Sequence, residues 1–340
     1  MGAKNYRLLI VLCLIAFIFN GCKSDEEVLP DVFSGSQVLV ANQGNFGWGE
    51  GTLSVYYEGS KTIENEVYSS VNKTTLGNVF QSISSINDSY YFVINNSGKV
   101  VVTDTNFNET QTIEGFVSPR YVYNIDGSKA YVTDLYANKI SILDLKSNRV
   151  INEIVTGQWA EKAVLLDGMF WYTAPNSNKV YGIDTDTDQL KDSIAVGEKP
   201  ESIIRDKNGV IWVLCKGDES KNESAKLTSV RIEGGDITVI SSDIKGVPTS
   251  LAYDEENNSI YFLSDKVWVL RINEGSQPET WLEIPNAAFY TVAVNPASGD
   301  VYVSDVKDFV SKSTIYRYSR EGALLDEFSA GIIAGDFFFP

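Results

Sequence analysis

Histidine is absent from all 340 residues. That removes the commonest general base and the neutral imidazole metal ligand. Ser-His-Asp and Cys-His catalysis, HExxH zinc sites and CxxCH haem attachment are excluded with it. Cysteine is nearly absent too: Cys13, Cys22 and Cys215 are the whole supply, and no two form a CxxC pair. Positive charge is scarce, with 28 Lys and Arg against 45 Asp and Glu and a formal net charge of -17. A surface of that sign neither grips nucleic acid nor adsorbs to anionic lipid. What remains is a chain with 43% hydrophobic residues, enough for a substantial core. Its composition leans toward binding rather than catalysis.

Leu8 to Phe19 is an unbroken apolar stretch behind Lys4 and Arg7. A membrane-spanning helix needs about 20 such residues, so the stretch fits the shorter hydrophobic region of a secretory signal peptide. It ends at Asn20-Gly21-Cys22, which resembles a bacterial lipobox, although Phe19 stands where that motif usually has Leu. The resemblance implies cleavage before Cys22, lipidation of Cys22 and an outer-membrane, lipid-anchored protein. An uncleaved amphipathic or transmembrane helix is the alternative. Residues 1–21 are then the signal peptide, and residues 22–36 the lipidated cysteine and an acidic, flexible tether. Lys23-Ser24-Asp25-Glu26-Glu27 resembles a surface-export signal that places such lipoproteins on the cell exterior. A plain solvated linker has the same composition. Cleavage also removes Cys13 and leaves Cys215 without a disulfide partner. Its setting, Ile211-Trp212-Val213-Leu214-Cys215, is that of an inert core thiol.

A four-residue pattern, aromatic or apolar, then two more mostly apolar residues, then Asn, Asp or a small residue, recurs seven times. The copies are Leu39-Val40-Ala41-Asn42, Phe92-Val93-Ile94-Asn95, Tyr131-Val132-Thr133-Asp134, Trp171-Tyr172-Thr173-Ala174, Trp212-Val213-Leu214-Cys215, Tyr261-Phe262-Leu263-Ser264 and Tyr302-Val303-Ser304-Asp305. A second and a third strand-like run follow each copy, as in Ile140–Asp144 and Val150–Ile154. A fourth precedes it, opened at Phe80, Pro119, Ala160, Pro200, Pro248 and Phe289. Proline suits the first residue of a strand, where no ladder donor is needed. The strands are rich in β-branched and aromatic residues with period-two alternation, and Gly, Asn and Asp turns separate them. Four short strands per unit of about forty residues is the signature of a propeller blade. The expected fold is therefore all-β, a seven-bladed β-propeller of four-stranded blades over residues 37–340. No stretch after residue 30 has a sustained helical period. Blade one begins at Val38 without an inner strand, and Gly331 to Phe339 is left over beyond the last blade. That segment is expected to supply the missing strand and so close the ring, which removes a free sheet edge.

Tyr131-Val132-Thr133-Asp134, with Ile140–Leu145 behind it, resembles the YVTN-type repeat of bacterial propellers. More specific are Ala41-Asn42-Gln43-Gly44-Asn45-Phe46-Gly47, Val93–Lys99, Ser118-Pro119-Arg120-Tyr121 and Tyr131–Lys139. Together with the lipoprotein leader, these resemble the surface propeller lipoproteins exemplified by BtuG. That resemblance implies capture of cobalamin (vitamin B12) and its transfer to a TonB-dependent outer-membrane transporter. Cobalamin is then a transported ligand, and no cofactor or metal is expected.

In a propeller the inner strand starts on the face where the second and third strands connect, and loops there converge on the axis. The residues just after the strand-opening positions should ring the channel mouth: Gln81, Arg120, Glu161, Glu201, Thr249 and Tyr290, with Gly335 from the closing strand. Loops add Gln43, Asn45, Phe46 and Trp48 from blade one, then Asn96, Tyr136 and Asn176 from blades two to four. Lys216–Ala225 and Lys307, Asp308 and Phe309 complete the rim. Aromatic faces and amide side chains suit a large apolar macrocycle fringed by amides, and they suit other amphipathic ligands as well. The long, Gly-rich loop Asn42–Gly51 is the strongest candidate. Arg120 beside Glu161 and Glu201 could form an ion-pair ring or simply balance charge. Asp184–Asp188 begins like an EF-hand, but Gln189 replaces its Gly and Ala195 its bidentate Glu, so it reads as a hairpin. Two competing functions remain open: a metal-dependent, lactonase-like enzyme using carboxylates, and a surface module that binds another ligand or a protein partner.

Overall fold

The computed structural model describes residues 36–273 and 275–340. The expected signal peptide, the expected lipidation site at Cys22 and the expected tether before Ser36 lie outside the described residues. Within them, seven antiparallel four-stranded sheets follow one another along the chain as the blades of a propeller. Blade two is β4 (Phe80–Ile86), β5 (Ser89–Ile94), β6 (Lys99–Thr103) and β7 (Glu109–Glu114). Blade three is β8 (Pro119–Asn124) to β11 (Arg149–Val155), with β9 (Lys129–Asp134) and β10 (Lys139–Asp144) between them. Blade four runs from β12 (Ala163–Leu166) through β13 (Met169–Thr173) and β14 (Lys179–Asp184) to β15 (Gln189–Ala195). Blade five runs from β16 (Pro200–Arg205) through β17 (Ile211–Cys215) and β18 (Lys226–Glu233) to β19 (Asp236–Asp243). Blade six comprises β20 (Leu251–Asp254), β21 (Ser259–Leu263), β22 (Val267–Arg271) and β23 (Glu279–Leu282). Blade seven comprises β24 (Phe289–Val294), β25 (Val301–Asp305), β26 (Lys312–Tyr318) and β27 (Leu324–Ile332).

Blade one is built from both ends of the described chain. Its β1 (Gln37–Asn42), β2 (Thr52–Tyr57) and β3 (Thr62–Glu64) are joined by β28 (Ala334–Phe338) as the innermost strand. Leu39 faces Phe338, Val40 faces Phe337 and Ala41 faces Asp336. The clasp extends beyond the strands, since Gln43 N donates to Ile333 O at 2.8 Å and Gly44 N to Ile332 O at 3.0 Å. The buried Asn42 accepts from Gly331 N at 2.9 Å. Closure by the C-terminal strand is therefore as expected, although the strand itself is shorter than Gly331–Phe339 because β27 continues to Ile332.

Period-two alternation is not what most inner and middle strands have. β9, β21 and β25 are buried at nearly every position. Each blade is covered on both faces by its neighbours, so these strands read as continuous apolar runs, as strands buried on both faces do. Tyr131, Ile140, Ile154, Ala163, Phe170 and Tyr172 pack between blades three and four in this way. The outer strands are different: β11 and β19 are exposed along most of their length. A helix also interrupts the all-strand expectation. Val67–Asn72 (α1) sits between β3 and β4, bounded by left-handed Glu66 and Lys73, and buries Tyr68 against Phe92. Six residues are too few to leave a periodic trace in sequence. One further turn, 3-10 helical, spans Glu219–Lys221 in the long blade-five loop.

Candidate functional site

All seven positions predicted to ring the channel lie at bulge-like irregularities, five within the first residues of the inner strands and two, Glu161 and Thr249, just ahead of them. In blade two the pairing passes from Phe80 with Ile94 to Ser82 with Val93, so Gln81 is the extra residue. Glu201, Tyr290 and Gly335 are extra in the same way in blades five, seven and one, and Arg120 and Tyr121 together face Thr133 in blade three. In blade four, Glu161 N donates to Thr173 O while Thr173 N donates to Lys162 O. Thr249 and Ser250 share Leu263 identically in blade six. A bulge places two residues opposite one and re-aims the side chains. Repeated around the axis, it turns a ring of side chains into the mouth. The same irregularity explains why β12 and β20 begin three residues later than the openers Ala160 and Pro248.

Gln43, Gln81, Arg120, Glu161, Glu201, Thr249, Tyr290 and Gly335 line one cavity of about 200 Å³ with Tyr121, Lys162, Lys216, Ser250 and Thr291. Arg120 is its most constrained member. Nε donates to both carboxylate oxygens of Glu161, at 2.7 and 2.9 Å, and Nη2 donates to Oε1 at 2.6 Å. Nη1 donates to Gln81 Oε1 at 2.5 Å. Burial by itself would lower the Arg120 pKa, but the adjoining Glu161 carboxylate overrides this and raises it. Glu201 does not join an Arg120 ring. It pairs with Lys216 at 3.0 Å, since the blade-five loop brings its own cation. Gly335 offers no side chain, and a Cβ there would lie 2.5 Å from Gln43 Nε2. Gln43 thus occupies the blade-one place in the ring, and its Oε1 accepts from the Tyr290 hydroxyl at 3.1 Å.

An adjoining cavity of about 340 Å³ opens toward the rim between blades seven and three. Gln43, Gly44, Phe46, Gln81, Asn96, Arg120, Tyr136 and Tyr290 line it together with Val79, Asn95, Val117, Ser118, Leu135 and Ile333. Phe46 and Tyr136 are 70% and 56% exposed. Tyr136 leans edge-on against Trp159, and Phe309 edge-on against Tyr290. The blade-one loop is held from outside by Asn78, which the sequence did not single out. Asn78 Oδ1 accepts from Gly47 N at 2.9 Å and from Asn96 Nδ2 at 2.6 Å. Its Nδ2 donates to Asn45 O at 3.1 Å and to Gly49 O.

The remaining predicted residues have other places. Asn45 is spent on the loop, donating to Phe309 O at 2.6 Å. Asn176 accepts from Trp159 N at 3.2 Å and so fixes the turn into blade four. Trp48 is 96% exposed and lines neither cavity. Asp308 caps its own turn through Val310 N and Ser311 N. Below the ring the sequence had named nothing, yet Tyr121, Tyr123, Lys162 and Asp336 fill one side of the throat. Asp336 Oδ2 accepts from Ile83 N at 3.1 Å, and burial pushes its carboxyl up to about 6. Burial likewise raises the Tyr121 and Tyr290 hydroxyls. A repeat-based reading finds ring positions and misses these, because second-row residues differ in every blade.

Among the described residues, no three His, Cys, Asp or Glu side chains gather in a metal-holding group, and no helix is long and apolar enough to cross a membrane. The Asp184–Asp188 segment is the hairpin between β14 and β15, as expected. Another hollow of about 200 Å³, between Glu50–Leu53 and α1, has no cation or amide in its wall.

Residues 36–340 match the family model described as Domain of unknown function (DUF5074), and the chain belongs to that family. No curated protein matches it in sequence. A quinonprotein alcohol dehydrogenase-like protein from Bacteroides thetaiotaomicron superposes with a TM-score of 0.71 at 16% identity, over 90% of this chain and 78% of that one. A candidate 6-phosphogluconolactonase from Bacteroides fragilis superposes with a TM-score of 0.65 at 11% identity, over 91% and 99%. Virginiamycin B lyase from Staphylococcus aureus gives a TM-score of 0.57 at 16% identity, over 72% and 82%. At these identities the likeness is one of fold alone.

Proposed function

We propose that this protein is a cell-surface lipoprotein that captures cobalamin, or a related corrinoid, at the channel mouth and passes it to a TonB-dependent outer-membrane transporter. The leader and the BtuG-like segments support the location, the ligand and the partner. The observation that carries the binding role is the chemistry of the two joined cavities. Exposed aromatic faces, Phe46 and Tyr136, stand beside the amides of Gln43, Gln81 and Asn96 on one wall. Aromatic faces cover apolar rings, and amides donate to and accept from a carboxamide fringe. The wall is also pre-formed: Arg120 and Gln43 are already held by neighbours, so little ordering is needed on binding.

A lactonase-like enzyme is the second reading, favoured by the likeness to a candidate 6-phosphogluconolactonase. It needs free carboxylates at the mouth, whereas Glu161 and Glu201 are each engaged by a cation. Calorimetric titration of the purified protein with cyanocobalamin and with cobinamide is the test. One-to-one binding that weakens when Phe46 or Tyr136 is replaced by alanine supports capture. No heat from folded protein at several temperatures rejects cobalamin. Metal-dependent turnover of a lactone would replace this reading with the enzyme.

A further inference from the structure

The lower cavity carries three cations, and only two of them are answered. Arg120 is paired with Glu161 at 2.6 Å and Lys216 with Glu201 at 3.0 Å. Lys162 comes from the blade-four bulge and lines the same cavity. No carboxylate lies within ion-pair distance of its ammonium, and its side chain makes no hydrogen bond among the described residues. Its ammonium lies over the face of the Tyr121 ring, 5.7 Å from nitrogen to centroid. Asp336 attracts it from a distance, while the Asp336 carboxylate itself accepts from Ile83 N. An ammonium has three donors and is costly to withdraw from water without acceptors.

The rest of the wall also offers donors. Gln43 uses its Oε1 to accept from Tyr290, which leaves its Nε2 hydrogens unspent. The hydroxyls of Thr249, Ser250 and Thr291 line the far side. Ser250 Oγ is largely spent on Val292, accepting from its N at 3.2 Å and reaching its O at 3.4 Å, whereas the Thr291 hydroxyl has only the 3.3 Å bond with Ser250 and keeps capacity for a further oxygen. A group entering this cup meets one uncommitted positive charge and several neutral donors. Its carboxylates are turned to their own partners.

We infer that the lower cavity is an anion-binding site in which Lys162 is the counter-charge to a phosphate or carboxylate oxygen. If the proposed capture function holds, on which this extension rests, the anionic group is the phosphodiester that cobalamin carries and cobinamide lacks. A free inorganic anion is the other source of the same chemistry.

The test begins without any corrinoid. Thermal unfolding of the purified protein is followed in increasing inorganic phosphate, against chloride at matched ionic strength. A ligand that binds only the folded state raises the midpoint by mass action, here by about 2 °C on the scale expected for a chain of this size. The rise should be lost in Lys162→Met. It should saturate at lower phosphate in Asp336→Asn, which removes the competing carboxylate. No phosphate-specific rise, or the same rise in Lys162→Met, overturns the site. Should Lys162→Met fail to fold, an unchanged saturation point in Asp336→Asn overturns it. Corrinoids then identify the source. Tighter binding of cyanocobalamin than of cobinamide, levelled by Lys162→Met, places the ligand's phosphodiester in the cup. Equal binding assigns the site to a free anion. If neither corrinoid binds, the cobalamin reading falls while the phosphate result still decides the site.

Discussion

Arg120 of blade three grips Glu161 of blade four side-on, with the guanidinium Nε 2.7 and 2.9 Å from the two carboxylate oxygens. The residues are successive members of the mouth ring, and the pair spans the boundary between their blades. Their side chains are 19% and 7% exposed, so solvent screens the pair little. Removing one partner would leave a largely buried charge unanswered, which costs about 3 kcal/mol or more. Arg120→Met is therefore expected to lower stability by that order in chemical denaturation. The double variant Arg120→Met with Glu161→Leu should recover most of the loss. A double variant whose loss equals the sum of the two single losses would show that the pair does not act as one unit.

Closure by β28 makes the ring dependent on its last residues. Deleting residues 331–340 removes the inner strand of blade one and the bonds to Gln43 and Gly44. It also exposes the unpaired edge of β1. The truncated protein should unfold at least 10 °C lower than the intact one, a scale set by a loss of several kcal/mol in a domain of this size, or should aggregate on expression. A truncated protein with an unchanged thermal midpoint would mean that the ring does not need its clasp.

Asp336 gives the protein an unusual response to acid. Its folded carboxyl titrates near 6, above the ordinary value of 3.8, because burial disfavours its charge. Between about pH 6 and pH 4 the folded state therefore holds a proton that the unfolded state has released. Its stability contribution is fully present below the unfolded value and is lost as pH rises through 6. Asp336→Asn should accordingly be more stable than the native protein at pH 7.5, by about 1 kcal/mol after allowance for water in the channel, and equal to it near pH 4. Parallel stability curves for the two proteins across that range would reject this assignment.

Asn78 is a positioning residue for the Phe46 loop. Its side chain reaches Asn45, Gly47, Gly49 and Asn96, and it lines neither cavity. Asn78→Ala should weaken cyanocobalamin binding about tenfold, or 1.4 kcal/mol, mainly through faster dissociation. Asn78→Asp keeps the acceptor for Gly47 N and should fall between the two. Unchanged affinity in both variants would mean that the loop is not part of the ligand's wall.

Cys215 is wholly buried, donates to Val196 O at 3.6 Å, and burial pushes its thiol up to about 12. It should resist a thiol reagent at pH 8 in the folded protein and react fully in denaturant. Reaction at a free-cysteine rate without denaturant would contradict the core assignment.

The repeat determined a good deal without tertiary information. A blade is a local unit of about forty residues whose strands pair with their sequence neighbours, so strand order, blade number and the ring positions Gln81 to Tyr290 are all written in the chain. The surplus segment after blade seven likewise gave the closing strand. Tertiary structure decided what the ring does with those residues. Bulges turned Gln81, Arg120, Glu161 and their counterparts inward. Glu161 went to Arg120, Glu201 to Lys216, and Lys162 was left unanswered. Asn45 and Asn176 were spent on holding loops, and Asn78 became the staple. Some of these outcomes depend on contacts between different blades, such as Arg120 with Glu161 and Asn45 with Phe309, and others on a loop peculiar to one blade, such as Lys216 with Glu201. A pattern that repeats identically in every blade carries no record of the differences between them.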